Sequence, residues 1–128
     1  AADLDTMQKL GIVRVVNCTR GCPNFHPDQL AYLRLELADA GHQKISHCFD
    51  AVVSAIDCAR AAGGACLVHC TAGISRSPAL VIAYLMKTKR WSLAAALAHM
   101  QKCRPSVSPN PAFMAQLAAY EASLFARP

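Results

Sequence analysis

No apolar run in this 128-residue chain reaches the roughly 18 residues that would span a bilayer, so no membrane segment is expected. Also missing is a basic opening stretch followed by an apolar one, and without it no secretory signal is read. The Lys and Arg residues are scattered, with no basic run interleaved with aromatics, so a nucleic-acid partner is not expected. Neither a dinucleotide fingerprint nor a Walker loop occurs, and no cofactor is called for. The C-x2-C spacing of common zinc modules is absent as well. Cys18-x3-Cys22 with His26, and Cys66-x3-Cys70 with His69, are poorer substitutes, and no metal is expected. No internal repeat, low-complexity tract or long linker divides the chain.

What is present is a hydrophobic content of 54%, enough for one domain with a real core over residues 1–128. The seven cysteines form an odd set, and several lie inside apolar segments as small buried thiols do. A reduced cytoplasmic or nuclear chain fits them better than a disulfide framework. The net charge of +5 favours an anionic partner without saying which.

The patterning alternates helix and strand. "DLDTMQKLG" reads as a short helix capped by Asp3 or Asp5 and stopped by Gly11. "IVRVVN" (12–17) is a β-branched strand leading into the turn-rich "CTRGCPNFHPD". "YLRLEL" (32–37) alternates apolar and polar, as a half-buried strand nearer the sheet edge should. Ile45, Phe49, Val52, Val53, Ile56 and Ala59 recur at helical spacing before Gly63-Gly64. "ACLVH" (65–69) is a continuous apolar run, which predicts a buried central strand. Three helices follow: 77–88 with Pro78 in its first turn, Ser92 to about Cys103, and Pro111 to Phe125. Trp91, Phe113, Leu117 and Tyr120 read as core. The order predicts an α/β, three-layer sandwich with a central, mostly parallel sheet flanked by helices.

The stretch "VHCTAGISRSP" (68–78) carries the chemistry. A strand that turns into a helix through a glycine leaves backbone N–H groups aimed at one point, and the helix adds its positive end. Cys70 ends the strand, where open α/β sheets place their ligands. That setting lowers a thiol's pKa and makes the sulfur a strong nucleophile. Arg76 opens the helix, and its planar fork matches two oxygens of a phosphate. Gly73 permits a positive φ or a close approach of ligand. The spacing thus places a nucleophile beneath a phosphate-shaped cradle.

"HCTAGISRS" resembles the His-Cys-x5-Arg-Ser loop of the protein tyrosine phosphatase superfamily. "LVHCTAGISRSPALVIAYLM" is similar to the dual-specificity phosphatases in particular, and "CPNF", "YLRLELAD" and "SPNPAFMAQLAAYE" to the catalytic domains of MAP kinase phosphatases. The resemblance implies a cysteine-phosphatase fold. It also implies hydrolysis of phosphotyrosine and phosphoserine or phosphothreonine, on MAP kinases among other phosphoproteins, through a cysteinyl-phosphate. In that scheme Cys70 attacks phosphorus. The backbone amides of Thr71, Ala72, Gly73, Ile74, Ser75 and Arg76, with the Arg76 side chain, hold the phosphoryl oxygens. Ser77 helps the sulfur leave, His69 organises the loop and favours the thiolate, and the side chain of Asn110 braces the phosphate loop.

The leaving oxygen needs a proton, which a carboxylic acid on a separate loop can supply. Asp39 stands where the family carries its acid; Asp28, Glu36 and Asp50 compete. The uncharged Thr71 and Ile74 disfavour an inositol lipid with extra phosphates. Catalytic domains of this family open with a strand pair before the first helix, and this chain opens almost at the helix, so one sheet edge is expected to be shortened or absent. A silent phosphoprotein-binding module, or sulfur or arsenate chemistry on a similar loop, are the competing functions. Cys18, or Cys66, is a candidate for a reversible disulfide with Cys70 under peroxide; the plainer reading of both is core-filling thiols.

Overall fold

The computed structural model describes residues 3–71 and 73–126. Ala72, one of the expected phosphate-loop residues, lies outside them. Asp3 opens the first helix, α1 (Leu4–Lys9): its carboxylate accepts from Thr6 N at 3.1 Å and from the Thr6 hydroxyl at 2.6 Å. Three strands follow the expected order: β1 (Ile12–Asn17), β2 (Ala31–Arg34) and β3 (Ala65–His69). A short 3-10 turn at Ser46–Cys48 leads into α2 (Phe49–Ala61). After β3 come α3 (Arg76–Lys89), α4 (Leu93–Cys103) and α5 (Pro111–Leu124).

The sheet is parallel throughout, in the order β2-β1-β3. Two expectations are corrected here. The 65–69 strand is an edge of this sheet and half-buried along its length; β1 takes the centre, because it pairs with both others. The strand expected over 32–37 stops at Arg34. Leu35 N still donates to Asn17 O at 2.8 Å, but β1 has ended and the chain has no further ladder to join.

Alternation along β1 divides the interior into two clusters. Val16 faces the larger one, with Leu37 and Ile45 from the segment before α2 and Phe49, Val52, Leu80, Ile82, Met86, Phe113 and Leu117 from the helical layer α2–α5. Val15 faces the smaller one, with Met7 of α1, Leu30 and Ile12, which shares this face because the strand register slips between Ile12 and Arg14. Helices therefore cover both faces, α1 thinly and the others deeply, giving the three layers expected. Trp91 and Tyr120 pack against the larger cluster, as the helical spacing predicts. Parallel pairing brings the C-terminal ends of β1 and β3 together, and Cys18 N continues the ladder onto His69 O at 2.9 Å. The loops leaving these two ends build the site.

Candidate functional site

The chain leaves β3 at His69, passes Cys70 and turns at Gly73 into α3. Gly73 has φ +67, a left-handed backbone that favours glycine; the nearest atom to a Cβ there would be Nη1 of Arg104 at 2.6 Å, a flexible side-chain end that can move aside. This turn folds the backbone over the sulfur: Gly73 N donates to Cys70 Sγ at 3.2 Å. Ser77, in the first turn of α3 and buried, stands with its hydroxyl 3.2 Å from the same sulfur. Burial pushes the Cys70 thiol up. Hydrogen bonds from the Ser77 side chain and backbone and from Gly73, together with the charge of Arg76, outweigh it and leave the thiol below its ordinary value. The half-buried sulfur is thus poised toward the anion.

His69 does not supply a positive charge to this end. Burial pushes its imidazole below the usual histidine range, which leaves it neutral at neutral pH. The ionisation of Cys70 therefore rests on Ser77, Gly73 and Arg76.

Ser75 precedes α3 but makes no side-chain cap on it. Its buried hydroxyl instead accepts from Asn110 N at 2.9 Å, and Ile74 O accepts from Ser108 N at 2.7 Å. The phosphate loop is thereby braced from behind by the backbone of 108–110; among the described residues the side chain of Asn110 makes no hydrogen bond to that loop, unlike what the resemblance implies. That side chain caps α5, accepting from Phe113 N at 2.9 Å, and its Nδ2 donates to Asp39 Oδ1 at 3.0 Å. Thr71 and Ile74 are exposed on the loop. A cavity of about 320 Å³ lies beside it, bordered by His69, Cys70, Thr71, Gly73, Met100 and Arg104.

Arg76 reaches the other wall. Its Nη1 donates to Leu37 O at 3.0 Å, two residues before Asp39. The segment carrying Asp39 is held further by Gln43, whose Oε1 accepts from Ala38 N at 3.0 Å. Gln116 of α5 donates through Nε2 to Gln43 O at 3.0 Å, and its Oε1 accepts from Ile45 N and Ser46 N. Asp39 is exposed and tied to the phosphate loop through Asn110. Its competitors lie elsewhere. Glu36 pairs with Arg34 at 3.5 Å, Asp50 lies 3.9 Å from Lys87 on the helical layer, and Asp28 sits near the start of β2, the opposite end from Cys70.

Several positioning residues were not read from the sequence. Gln43 and Gln116 carry no motif. Asn17, fully buried, holds the 18–24 turn by donating to Cys22 O and Asn24 Oδ1, each at 2.9 Å, and by accepting from Thr19 N and its hydroxyl. An apolar strand ending in Asn is the one available signal for it.

The thiols near Cys70 behave as core groups. Cys18 continues β1 beside Cys70 and is fully buried; burial, and then the neighbouring Cys70, push it up to about 12. Burial raises Cys66 to about 11. Four residues of extended chain put Cys66 roughly 13 Å from Cys70, beyond disulfide reach. Both stay protonated at neutral pH.

This arrangement can bind a tetrahedral anion over a nucleophilic sulfur, with the Asp39 carboxylate tied through Asn110 to the phosphate loop. Comparison with known proteins agrees. The family described as dual specificity phosphatase, catalytic domain, matches residues 1–123. Human dual specificity protein phosphatase 14 is 41% identical over 127 residues, covering 99% of this chain and 64% of that protein. Rat protein phosphatase Slingshot homolog 3 is 39% identical over 132 residues, covering 98% of this chain and 19% of that protein. A crystal structure of human DUSP28 superposes with a TM-score of 0.90 at 35% identity, over 95% of this chain and 82% of that one. The cysteine cradle, the parallel sheet that presents it and the match along 1–123 lead to one conclusion: this chain belongs to the dual specificity phosphatase catalytic-domain family, a family of protein phosphatase enzymes.

Proposed function

We propose that this chain hydrolyses phosphate monoesters on protein tyrosine and on serine or threonine, through a phosphate carried on Cys70. The observation that carries the reading is the sulfur of Cys70 held 3.2 Å from both Gly73 N and Ser77 Oγ, with its pKa lowered. In the first step Sγ attacks phosphorus, the P–O ester bond breaks, and the leaving oxygen takes a proton from Asp39. The loop amides and Arg76 disperse the charge of the three equatorial oxygens. In the second step water attacks phosphorus, Asp39 takes its proton, and the S–P bond breaks with Ser77 donating to the departing sulfur.

A phosphoprotein is supported over an inositol lipid by the uncharged Thr71 and Ile74 within the loop itself. Likeness to the catalytic domains of MAP kinase phosphatases makes a phosphorylated MAP kinase, in cytoplasm or nucleus, the first partner to test. The purified chain should release phosphate at a steady rate from peptides carrying phosphotyrosine, phosphothreonine or both. Peptide bound without release would make the chain a silent binding module instead, and thiosulfate sulfurtransfer without phosphatase activity would reassign the loop.

Asp39→Asn is expected to slow kcat/KM on a phosphothreonine peptide, a poor leaving group, by about 10²–10⁴-fold. On a nitrophenyl phosphate, whose leaving group needs no proton, the loss should be far smaller. Equal losses on both would assign the proton to another group.

Ser77→Ala should reduce kcat by about 10–100-fold, the worth of one hydrogen bond to a charged group. It should also change the pH profile. The Ser77 hydrogen bond lowers the Cys70 pKa, and the protonated thiol is inactive, so removing the bond moves the acid limb of kcat/KM to higher pH. An unmoved limb would contradict the role given to this hydroxyl.

A further inference from the structure

We propose that Asn110 is a positioning residue that sets Asp39 for proton donation, a role that rests on Asp39 being the acid. Three polar groups of Asn110 reach three separate parts of the site. Its backbone N–H donates to Ser75 Oγ of the phosphate loop at 2.9 Å. Its Oδ1 caps α5 through Phe113 N at 2.9 Å, with the extended backbone of an N-cap at φ −63, ψ 161. Its Nδ2 donates to Asp39 Oδ1 at 3.0 Å and lies 3.5 Å from Ala40 O.

This division of labour explains why the residue is asparagine. The cap needs an acceptor one carbon beyond Cβ, and the carboxylate needs a donor on the same rigid plane. Aspartate offers acceptors alone, and serine caps without reaching Asp39. The cap freezes the amide, so the donor is aimed before substrate arrives. Asp39 is exposed, and an untethered exposed carboxylate spreads over several rotamers. Holding it in one orientation relative to the phosphate loop raises the fraction of encounters in which the proton lies near the leaving oxygen. Because Asn110 N also grips Ser75, the acid is referenced to the loop that holds the phosphorus.

The test uses Asn110→Asp, which keeps a good N-cap, removes the Nδ2 donor and sets a second carboxylate facing Asp39. The melting temperature should stay within about 3 °C of wild type. The ratio of kcat/KM on a phosphothreonine peptide to that on nitrophenyl phosphate should fall at least about tenfold, part of the full general-acid factor. Asn110→Ser, a smaller cap without added charge, should show the same selective fall and serves if Asn110→Asp does not fold. Asp39→Asn combined with Asn110→Asp should be no slower on the peptide than Asp39→Asn alone, since a tether has no effect once the acid is gone. An unchanged ratio in both Asn110 variants, with Asp39→Asn still selective, would overturn the tether and leave Asp39 as the acid. An unselective Asp39→Asn would overturn the acid and the tether together.

Discussion

Cys70→Ser is expected to lower turnover by about 10⁴–10⁶-fold, the scale on which loss of a nucleophile acts in enzymes with covalent intermediates. The groups around the sulfur explain why serine cannot substitute. Gly73 N and Ser77 donate to the atom at this position, which stabilises an anion already formed. None of them is a base able to remove a proton, and the His69 ring is engaged at the Cys70 backbone. A thiol is brought into the ionising range by such donors; a hydroxyl, several units less acidic, is not. The cradle should survive, because its bracing runs through Ser75, Asn110 and Ser108 rather than through the sulfur. The variant should therefore bind a phosphopeptide at least as tightly as wild type, since the phosphate dianion no longer meets a thiolate. Calorimetric titration of the variant, beside phosphate release from the same peptide, checks both halves. Turnover within tenfold of wild type would remove Cys70 from the mechanism, and loss of binding would show that the sulfur holds the loop together.

The parts of this site that could be read from sequence are those whose chemistry is local. Cys70, Gly73, Arg76 and Ser77 lie within eight residues, and a strand, a glycine turn and a helix N-terminus are recognisable from their neighbours alone. Asp39 is different: its place in the site depends on a hydrogen bond to a residue 71 positions away, and resemblance rather than spacing singled it out. The resemblance assigns the Asn110 side chain to the phosphate loop, yet that side chain faces Asp39 and the Asn110 backbone faces the loop. A cap and a tether both leave the same letter in the sequence. Gln116 shows the general difficulty, since a half-buried glutamine on a helix looks like any solvated polar residue until Gln43 and Ile45 are seen beside it.

The fold shows the same division. Helix termini were legible where caps act within four residues: Asp3 and Ser92 each accept from their own first turn. Sheet position was not. The apolar run 65–69 reads as a buried central strand, but centrality is decided by how many strands pair, and among the described residues β1 alone has neighbours on both sides. Composition reports burial on the faces and is silent about the edges.

Arg76→Lys is expected to lower kcat/KM by about 10²–10³-fold, although the charge is kept, because a preorganised donor is lost from the transition state. The guanidinium is fixed at one corner, where Nη1 donates to Leu37 O at 3.0 Å, and its remaining N–H groups are left in a plane that can face phosphoryl oxygens. A lysine ammonium presents one point. It can reach the carbonyl of Leu37 or the phosphate, and doing either it gives up the paired geometry. The loss should extend to the opposite wall, since Leu37 stands two residues before Asp39 and the Arg76 contact helps to set that segment. Vanadate separates these effects: it adopts the five-coordinate geometry of the transferring phosphorus, and its inhibition should weaken in Arg76→Lys in proportion to kcat/KM. The KM for peptide should change much less, because the ground-state phosphate keeps the loop amides. A lysine variant within about threefold of wild type in both rate and vanadate affinity would show that charge alone closes the cradle, and that the anchor on Leu37 has no part in the chemistry.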